Sequence, residues 1–183
     1  MQKTSKLTIK TLTMGAICIA LSFVLSYIRL FRMPQGGSIT LLSMLPVMLF
    51  AYLYGMGPGL LAGLAYSFLQ MIQGVDYYGF VQFLLDYPIA FTLLGTAGIL
   101  HGTQLDERVG LPLSVALGGL LRILSHFLSG WLFFGSYAPA GQSPVLYSLG
   151  YQLSTIGPDA LLCIIAAMVM ATTGLLKPIR KMV

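Results

Sequence analysis

The chain has 183 residues, of which 57% are hydrophobic and 8% are charged, and its formal net charge is +5. Soluble domains carry roughly a quarter charged residues, so this composition excludes a soluble protein and indicates one embedded in the lipid bilayer. The positive charge does not indicate nucleic-acid binding, because lysine and arginine are concentrated near the two ends of the chain, where membrane topology accounts for them.

The first predicted helix covers about residues 11–27 and follows a basic N-terminus. This basic flank predicts a cytoplasmic N-terminus, and no small-residue cleavage site follows the apolar run. Ala16 and Ala20 lie about one turn apart, a spacing of small residues that lets a second helix approach closely. Two interpretations stay open for these alanines: packing within this chain and contact with a partner protein.

A polar segment follows at residues 29–37, with the sequence Arg-Leu-Phe-Arg-Met-Pro-Gln-Gly-Gly. Gly36 and Gly37 permit tight backbone turns. The segment is either a plain connecting loop or a lid that dips toward the apolar core.

The second helix is predicted over about residues 38–54 with a kink at Pro46, and the third over about residues 59–72. Gly59 and Gly63 have the GxxxG spacing of closely packed membrane helices. The turn between these helices is rich in glycine but lacks the lysine and hydroxyl residue of a phosphate loop. It therefore does not predict nucleotide binding.

The fourth predicted helix, about residues 79–100, carries a carboxylate inside an apolar stretch. Asp86 lies about two turns into the helix and shares a face with Gln82, four residues earlier. Pro88 leaves a carbonyl of the preceding turn without its helical donor. An ionisable group at this depth is a candidate functional residue.

The fifth helix, about residues 111–134, carries Arg122 and His126 on one face, which must meet other helices or a polar cavity. The sixth, about residues 145–176, has a predicted break near Gly157 and Pro158 and precedes a basic C-terminus. The sequence thus predicts an all-α membrane protein with six transmembrane helices, cytoplasmic N- and C-termini, and a single domain over residues 1–183.

Helix position also predicts depth, because each residue adds about 1.5 Å along the axis. Arg122 and Asp159 each lie about 12 residues from the outer ends of their helices, so we expect an ion pair near mid-membrane. Asp86 and His126 lie about seven or eight residues from theirs, so we expect them at matched depth nearer the outer surface.

Aromatic and amide side chains should surround this second pair, among them Tyr151 and Trp131. The set predicts an outward-facing pocket for a small aromatic solute with amino groups or positive charge, because a carboxylate accepts hydrogen bonds and ring faces attract cations. Three alternatives stay open: a neighbour satisfies His126 without a ligand, Asp86 pairs with Arg29 or Arg32, or the aromatics form a belt at the membrane surface.

Five motifs of this sequence occur together in one known family. They are Met-Pro-Gln-Gly-Gly-Ser-Ile-Thr at 33–40, Gln-Phe-Leu-Leu-Asp-Tyr-Pro at 82–88, Arg-Ile-Leu-Ser-His-Phe-Leu-Ser-Gly at 122–130, Phe-Gly-Ser-Tyr-Ala-Pro at 134–139 and Ser-Pro-Val-Leu-Tyr-Ser at 143–148. Over nearly its whole length the chain resembles the thiamine-specific substrate-binding subunit of energy-coupling factor transporters.

The resemblance implies a set of substrate-binding residues: Asp86, Tyr87, His126, Gly130, Phe134, Tyr147 and Gln152. Asp86 stands where the family usually has a glutamate that hydrogen-bonds the aminopyrimidine of thiamine, so this carboxylate is one methylene shorter. Phe134 replaces a stacking tryptophan, and Gln152 replaces an asparagine.

The resemblance also implies partners: a membrane coupling protein, reached through the face of Ala16 and Ala20, and two cytoplasmic ATPases that drive import. The expected location is the plasma membrane of a prokaryote. No cofactor, metal site or catalytic residue is expected in this chain, and Cys18 and Cys163 are interpreted as packing residues.

Three other functions stay open. The chain could bind another small aromatic or cationic vitamin, act as an intramembrane enzyme with Asp86 and His126 as an acid–base pair, or serve as a structural subunit. Against the enzyme, Ser125 and Ser129 lack an evident activating arrangement. A structural subunit would use its polar pairs only to fix helix packing.

Overall fold

The computed structural model describes residues 8–33 and 37–181, and helices account for most of them. Two of the N-terminal lysines, Lys3 and Lys6, lie outside the described residues, as does Gly36. Within the described part, the helices are α1 (Ile9–Ser26), α2 (Leu45–Tyr54), α3 (Met56–Met71), α4 (Phe80–Leu100), α5 (Glu107–Phe133), α6 (Pro144–Thr173) and α7 (Leu176–Lys181). Two short strands, β1 (Arg29–Arg32) and β2 (Ser38–Thr40), join α1 to α2.

Four helices of the described residues, α1, α4, α5 and α6, are long and apolar enough to cross a membrane. Helix α2 has 10 residues and α3 has 16. At about 1.5 Å per residue they extend roughly 15 and 24 Å, against a hydrocarbon core of about 30 Å. The count of six transmembrane helices therefore stays a prediction.

The segment after α1 is a hairpin rather than a plain connecting loop. Strands β1 and β2 pair antiparallel, with Arg32 opposite Ser38 and an irregularity between Arg29 and Phe31. Gly37 adopts a φ of 72°, which favours glycine. The prediction of helix over residues 38–44 is wrong, because this stretch holds β2 and the turn that precedes α2.

Two prolines behave differently from the sequence prediction. Pro46 lies in the first turn of α2, where an N–H would have no helical acceptor, so it begins the helix instead of kinking it. Pro158 lies inside α6, which continues without a break from Pro144 to Thr173. Membrane helices tolerate such a proline when neighbouring groups take up the local change in hydrogen bonding.

Helices α3 and α4 pack with their backbones in contact. A Cβ atom placed on Gly63 would collide with the carbonyl oxygen of Phe91, and one placed on Gly95 would collide with the backbone of Gly59 and Leu60. Only glycine fits at these positions. This is the close approach that the spacing of Gly59 and Gly63 predicts.

The two ends of the bundle differ in chemistry. At one end, the Nε atom of Arg180 on α7 lies 2.6 Å from Oε1 of Glu107 at the start of α5. The opposite end gathers the hairpin, the loop over residues 72–79, and the adjoining ends of α4, α5 and α6. Gln82, Asp86, Arg122 and His126 lie toward this second end, and they define the site.

Candidate functional site

A cavity of about 630 Å³ lies between the hairpin, the loop over residues 72–79 and helices α4, α5 and α6. All of the substrate-binding residues that the resemblance implies line it: Asp86, Tyr87, His126, Gly130, Phe134, Tyr147 and Gln152. That these residues contact a ligand stays a prediction. Their gathering around one space is the arrangement that this prediction requires.

Asp86 of α4 and His126 of α5 meet at the wall of this cavity. The Nδ1 atom of His126 lies 3.1 Å from Oδ1 of Asp86, and their side chains are 18% and 17% exposed. The structure thus brings together the two groups that helix position places at one depth. The alternative pairing of Asp86 with an arginine is wrong: Arg29 instead donates from Nη2 to Oε1 of Gln73, at 2.9 Å, and Arg32 makes no ion pair with Asp86.

A local widening of α4 positions Asp86. Residues Leu85–Ile89 form a π-helical turn that contains Pro88, between α-helical segments on either side. Such turns interrupt α-helices often at functional sites. The hydroxyl of Ser125 donates to the carbonyl oxygen of Leu85 at 2.6 Å, so α5 is attached to the turn that carries Asp86 through the neighbour of His126.

An ionised Asp86 would fix which nitrogen of His126 carries its proton. An ionised carboxylate only accepts hydrogen bonds, so Nδ1 must be the donor in this contact. A neutral imidazole then has Nε2 as an acceptor, and this atom is buried without a partner in the described part of the chain. The pair therefore offers acceptors to a ligand that carries N–H groups.

Aromatic rings form the walls beside this pair. The ring of Tyr78 meets that of Phe134 edge to face, with 4.8 Å between centroids, and Tyr137 lies 6.1 Å from Phe134. On α6, the rings of Tyr147 and Tyr151 are 6.2 Å apart. Ring faces in such a setting attract cations.

Trp131 lies outside the cavity. It stacks on Phe127 with 6.2 Å between centroids and is 43% exposed on the bundle surface. Tyr77 is 63% exposed and does not line the cavity either. The belt interpretation fits these two residues, whereas Tyr78, which is 59% exposed, also lines the cavity.

Gly130 allows α5 and α6 to touch next to the cavity. A Cβ atom at this position would collide with Oγ of Ser148 and approach Nε2 of Gln152. The Ser148 hydroxyl donates to the carbonyl oxygen of Phe127 at 2.8 Å, which holds the two helices together. The glycine thus brings Gln152 and Tyr147 close to the wall formed by α5.

The predicted ion pair of Arg122 and Asp159 is wrong, since no nitrogen–oxygen contact within 4.0 Å joins them. The Arg122 guanidinium lies 4.4 Å from the ring centroid of Phe91. Oδ2 of Asp159 accepts from the hydroxyl of Thr40, at 2.7 Å. Both charged groups border a second cavity of about 140 Å³, so they lie at one depth and face one space without touching.

Sequence reasoning missed part of the cavity lining. Tyr151 was predicted to line the pocket and does so, and Arg32, Gln82 and Arg122 were noted in other roles. The residues that were missed are Gly37, Ser38, Asp76, Tyr78, Phe91, Tyr137, Ser148, Thr155 and Ile156. The helical spacing of Gln82 and Asp86 was the available signal for Gln82. For residues in the hairpin and in the loop over 72–79 the sequence carried no such signal, because periodicity does not determine the path of a loop.

The fold and the cavity together define a class: a multi-pass helical membrane protein with a solute-sized site near one end of its bundle. The cavity volume falls within the range of about 300–1,000 Å³ that is typical of small-molecule sites.

Comparison with known proteins gives the family. Residues 12–177 match the thiamine transporter protein family. The chain is 34% identical over 152 residues to the thiamine transporter ThiT of Bacillus subtilis (strain 168), covering 78% of this chain and 79% of that protein. It is 28% identical over 151 residues to the thiamine transporter ThiT of Lacticaseibacillus paracasei, covering 73% of each.

A solved structure agrees with these matches. ThiT from Listeria monocytogenes superimposes with a TM-score of 0.77 and 25% sequence identity, covering 89% of this chain and 93% of that one. The chain belongs to the thiamine transporter protein family. Membership confirms the resemblance, the helical multi-pass fold and the location in the cell membrane, and it makes the chain a transport protein rather than an enzyme.

Proposed function

We propose that this chain is the substrate-capture subunit of a vitamin importer and binds thiamine in the cavity of about 630 Å³. The observation that carries the proposal is the contact between Asp86 and His126 at the wall of an aromatic-lined cavity. Membership of the thiamine transporter protein family supports thiamine over other vitamins.

The chemistry of thiamine matches the groups around the cavity. Its aminopyrimidine ring carries an exocyclic amine, and its thiazolium ring carries a positive charge. Asp86 accepts a hydrogen bond from the amine, and Nε2 of His126 is a further acceptor. The faces of Phe134 and Tyr147 attract the thiazolium cation.

The cavity faces the outside of the cell in this proposal. It lies at the end of the bundle opposite the contact between Arg180 and Glu107. The excess of lysine and arginine in short segments marks the cytoplasmic side, and Arg108, Lys177 and Lys181 lie close to that contact in sequence. Both chain termini are then cytoplasmic, and α2 and α3 complete a bundle of six helices in a single domain.

Binding to the purified protein tests the ligand. Isothermal titration calorimetry in detergent should give one thiamine per chain, and thiamine should give the largest thermal stabilisation in a panel of water-soluble vitamins. A larger shift with another vitamin would support the alternative of a different aromatic or cationic ligand. Folded protein that binds neither thiamine nor its close analogues would refute thiamine capture.

Partner proteins supply the energy in this proposal, because the sequence contains no nucleotide-binding motif. The partners are a membrane coupling protein and two cytoplasmic ATPases. Ala16 and Ala20 are both exposed along α1, so a helix of the coupling protein can approach there closely.

A transport assay tests this surface. In cells that contain the coupling protein and the ATPases, Ala16→Trp together with Ala20→Trp should abolish uptake of labelled thiamine and leave binding unchanged. Leu161→Trp is the control, since Leu161 is 57% exposed on α6. Normal uptake by the variant that carries both Ala16→Trp and Ala20→Trp would exclude this face as the contact.

A further inference from the structure

One buried amide joins the binding carboxylate to the rim of the cavity. Gln82 lies one turn before Asp86 on α4 and is only 1% exposed. Its Nε2 donates to Oδ2 of Asp86 at 2.7 Å and to the carbonyl oxygen of Asp76 at 3.0 Å. Its Oε1 accepts from the amide of Tyr78 at 2.9 Å.

We propose that Gln82 is a positioning residue for ligand binding: it holds the Asp86 carboxylate in the orientation that receives the exocyclic amine of an aminopyrimidine. This inference rests on the proposed capture of thiamine and deepens it. Gln82 acts through Asp86 and is not itself assigned a contact with the ligand.

The hydrogen bonds allow only one orientation of the Gln82 amide. Turning it over would place Oε1 against the carbonyl oxygen of Asp76 and the carboxylate of Asp86. It would also place the NH₂ group against the N–H of Tyr78. All three contacts would then be repulsive. In the observed orientation, one N–H of Gln82 donates to the carbonyl oxygen of Asp76 and the other donates to Asp86.

The carboxylate is thereby held at both oxygens. His126 occupies Oδ1 and Gln82 occupies Oδ2, so rotation of the group would break a hydrogen bond at each end. A carboxylate has about four acceptor positions, which leaves roughly two for a ligand. The two protein donors thus determine the direction in which the remaining positions face.

Gln82 also ties this orientation to the loop over residues 72–79. Besides the two backbone contacts of Gln82, the amide of Asp76 donates to the hydroxyl of Tyr87 at 3.0 Å, and the ring of Tyr78 packs on Phe134. A purely structural role would therefore be to hold the rim of the cavity in place. The experiment has to separate that role from orientation of the carboxylate.

Two ligands separate the roles: thiamine and an analogue whose exocyclic amine is replaced by hydrogen. Gln82→Met keeps the length of the side chain but removes the donor to Asp86. It should weaken thiamine binding about 10- to 100-fold, as expected for loss of a hydrogen bond to a charged group, and weaken the analogue less than about threefold. Equal losses for both ligands would show that Gln82 only holds the rim, and would overturn the proposal.

A double-mutant cycle gives an independent readout. If Gln82 acts through Asp86, adding Gln82→Met to Asp86→Asn should weaken thiamine binding by less than about threefold beyond Asp86→Asn alone. Additive losses would overturn the proposal. Gln104→Met is the matched control, because Gln104 is exposed in the loop between α4 and α5, and it should bind both ligands as the wild type does.

Thermal unfolding without ligand shows whether each variant is folded. If Gln82→Met does not fold, Gln82→Leu replaces it, since a leucine also lacks the donor to Asp86 and adds no charge beside it. The same selective loss of affinity for thiamine is expected, and equal losses of affinity for both ligands again overturn the proposal. Failure of the wild-type protein to bind thiamine would instead refute the proposed function.

Discussion

Two ionisable residues stand one turn apart on α5, and their surroundings differ. His126 meets a carboxylate of α4 at 3.1 Å and borders the large cavity. Arg122 has no carboxylate within 4.0 Å and lies over the ring of Phe91. Because the partners of both residues were inferred from depth alone, the contrast teaches that height in the membrane is necessary for a contact but does not determine it.

The hairpin accounts for much of the difference between the paired His126 and the unpaired Arg122, because it supplies a partner for Asp159. Thr40 at the end of β2 donates to Asp159 and also lies 2.6 Å from the hydroxyl of Ser43. Asp159 thus has a neutral partner from the segment between α1 and α2, and its other oxygen is buried without one among the described residues. No comparable segment comes between Asp86 and His126.

The largest expected effect concerns the paired carboxylate. Asp86→Asn keeps the size of the side chain but removes the charge, so it should weaken thiamine binding about 100-fold, or about 2.7 kcal/mol. Calorimetry would measure the loss, with Asp106→Asn at the exposed start of α5 as the control. A change below about threefold would remove Asp86 from the ligand contacts.

A smaller effect is expected for the separated groups. A double-mutant cycle of Arg122→Met and Asp159→Asn should give a coupling below about 3 kcal/mol in the free energy of unfolding in detergent, because the two groups border one cavity but do not touch. Removing one partner of a direct buried pair costs about 3–5 kcal/mol. A coupling of that size would mean that the two side chains pair in the membrane.

The smallest effect is expected at the exposed ion pair. The side chains of Arg180 and Glu107 are 51% and 31% exposed, and water screens such a pair. Arg180→Gln should lower the free energy of unfolding by less than about 0.5 kcal/mol and leave thiamine affinity unchanged. Thermal unfolding and calorimetry would check this, and a change in affinity would connect this end of the bundle to the cavity.

The sequence made the central pair predictable because ionisable residues are rare in apolar segments. Asp86 and His126 stand out for that reason, and helical spacing places Gln82 on the same face as Asp86. The remaining implied site residues came from resemblance rather than from periodicity. Phe134 and Gln152, for example, carry no charge that would distinguish them from other residues of their helices.

Other features could not be predicted, for identifiable physical reasons. All four residues of β1 are exposed, so the strand lacks the alternation that marks a half-buried strand. The sequence around Pro46 is compatible with a kink inside a helix or with the start of a helix, and only the N-terminus of α2 distinguishes the two. The partner of Asp159 was missed because Thr40 lies 119 positions away on a strand that was predicted to be helical.

The glycine contact between α3 and α4 has a consequence for genetic variation. Even a single methyl group at Gly95 would push the two backbones apart. Gly95 and Asp86 belong to the same helix, nine residues apart, so we expect a displacement of α4 at Gly95 to reach the π-helical turn that carries Asp86. Alleles at Gly95 would therefore be recorded as transport defects, although the residue lies remote from any bound vitamin.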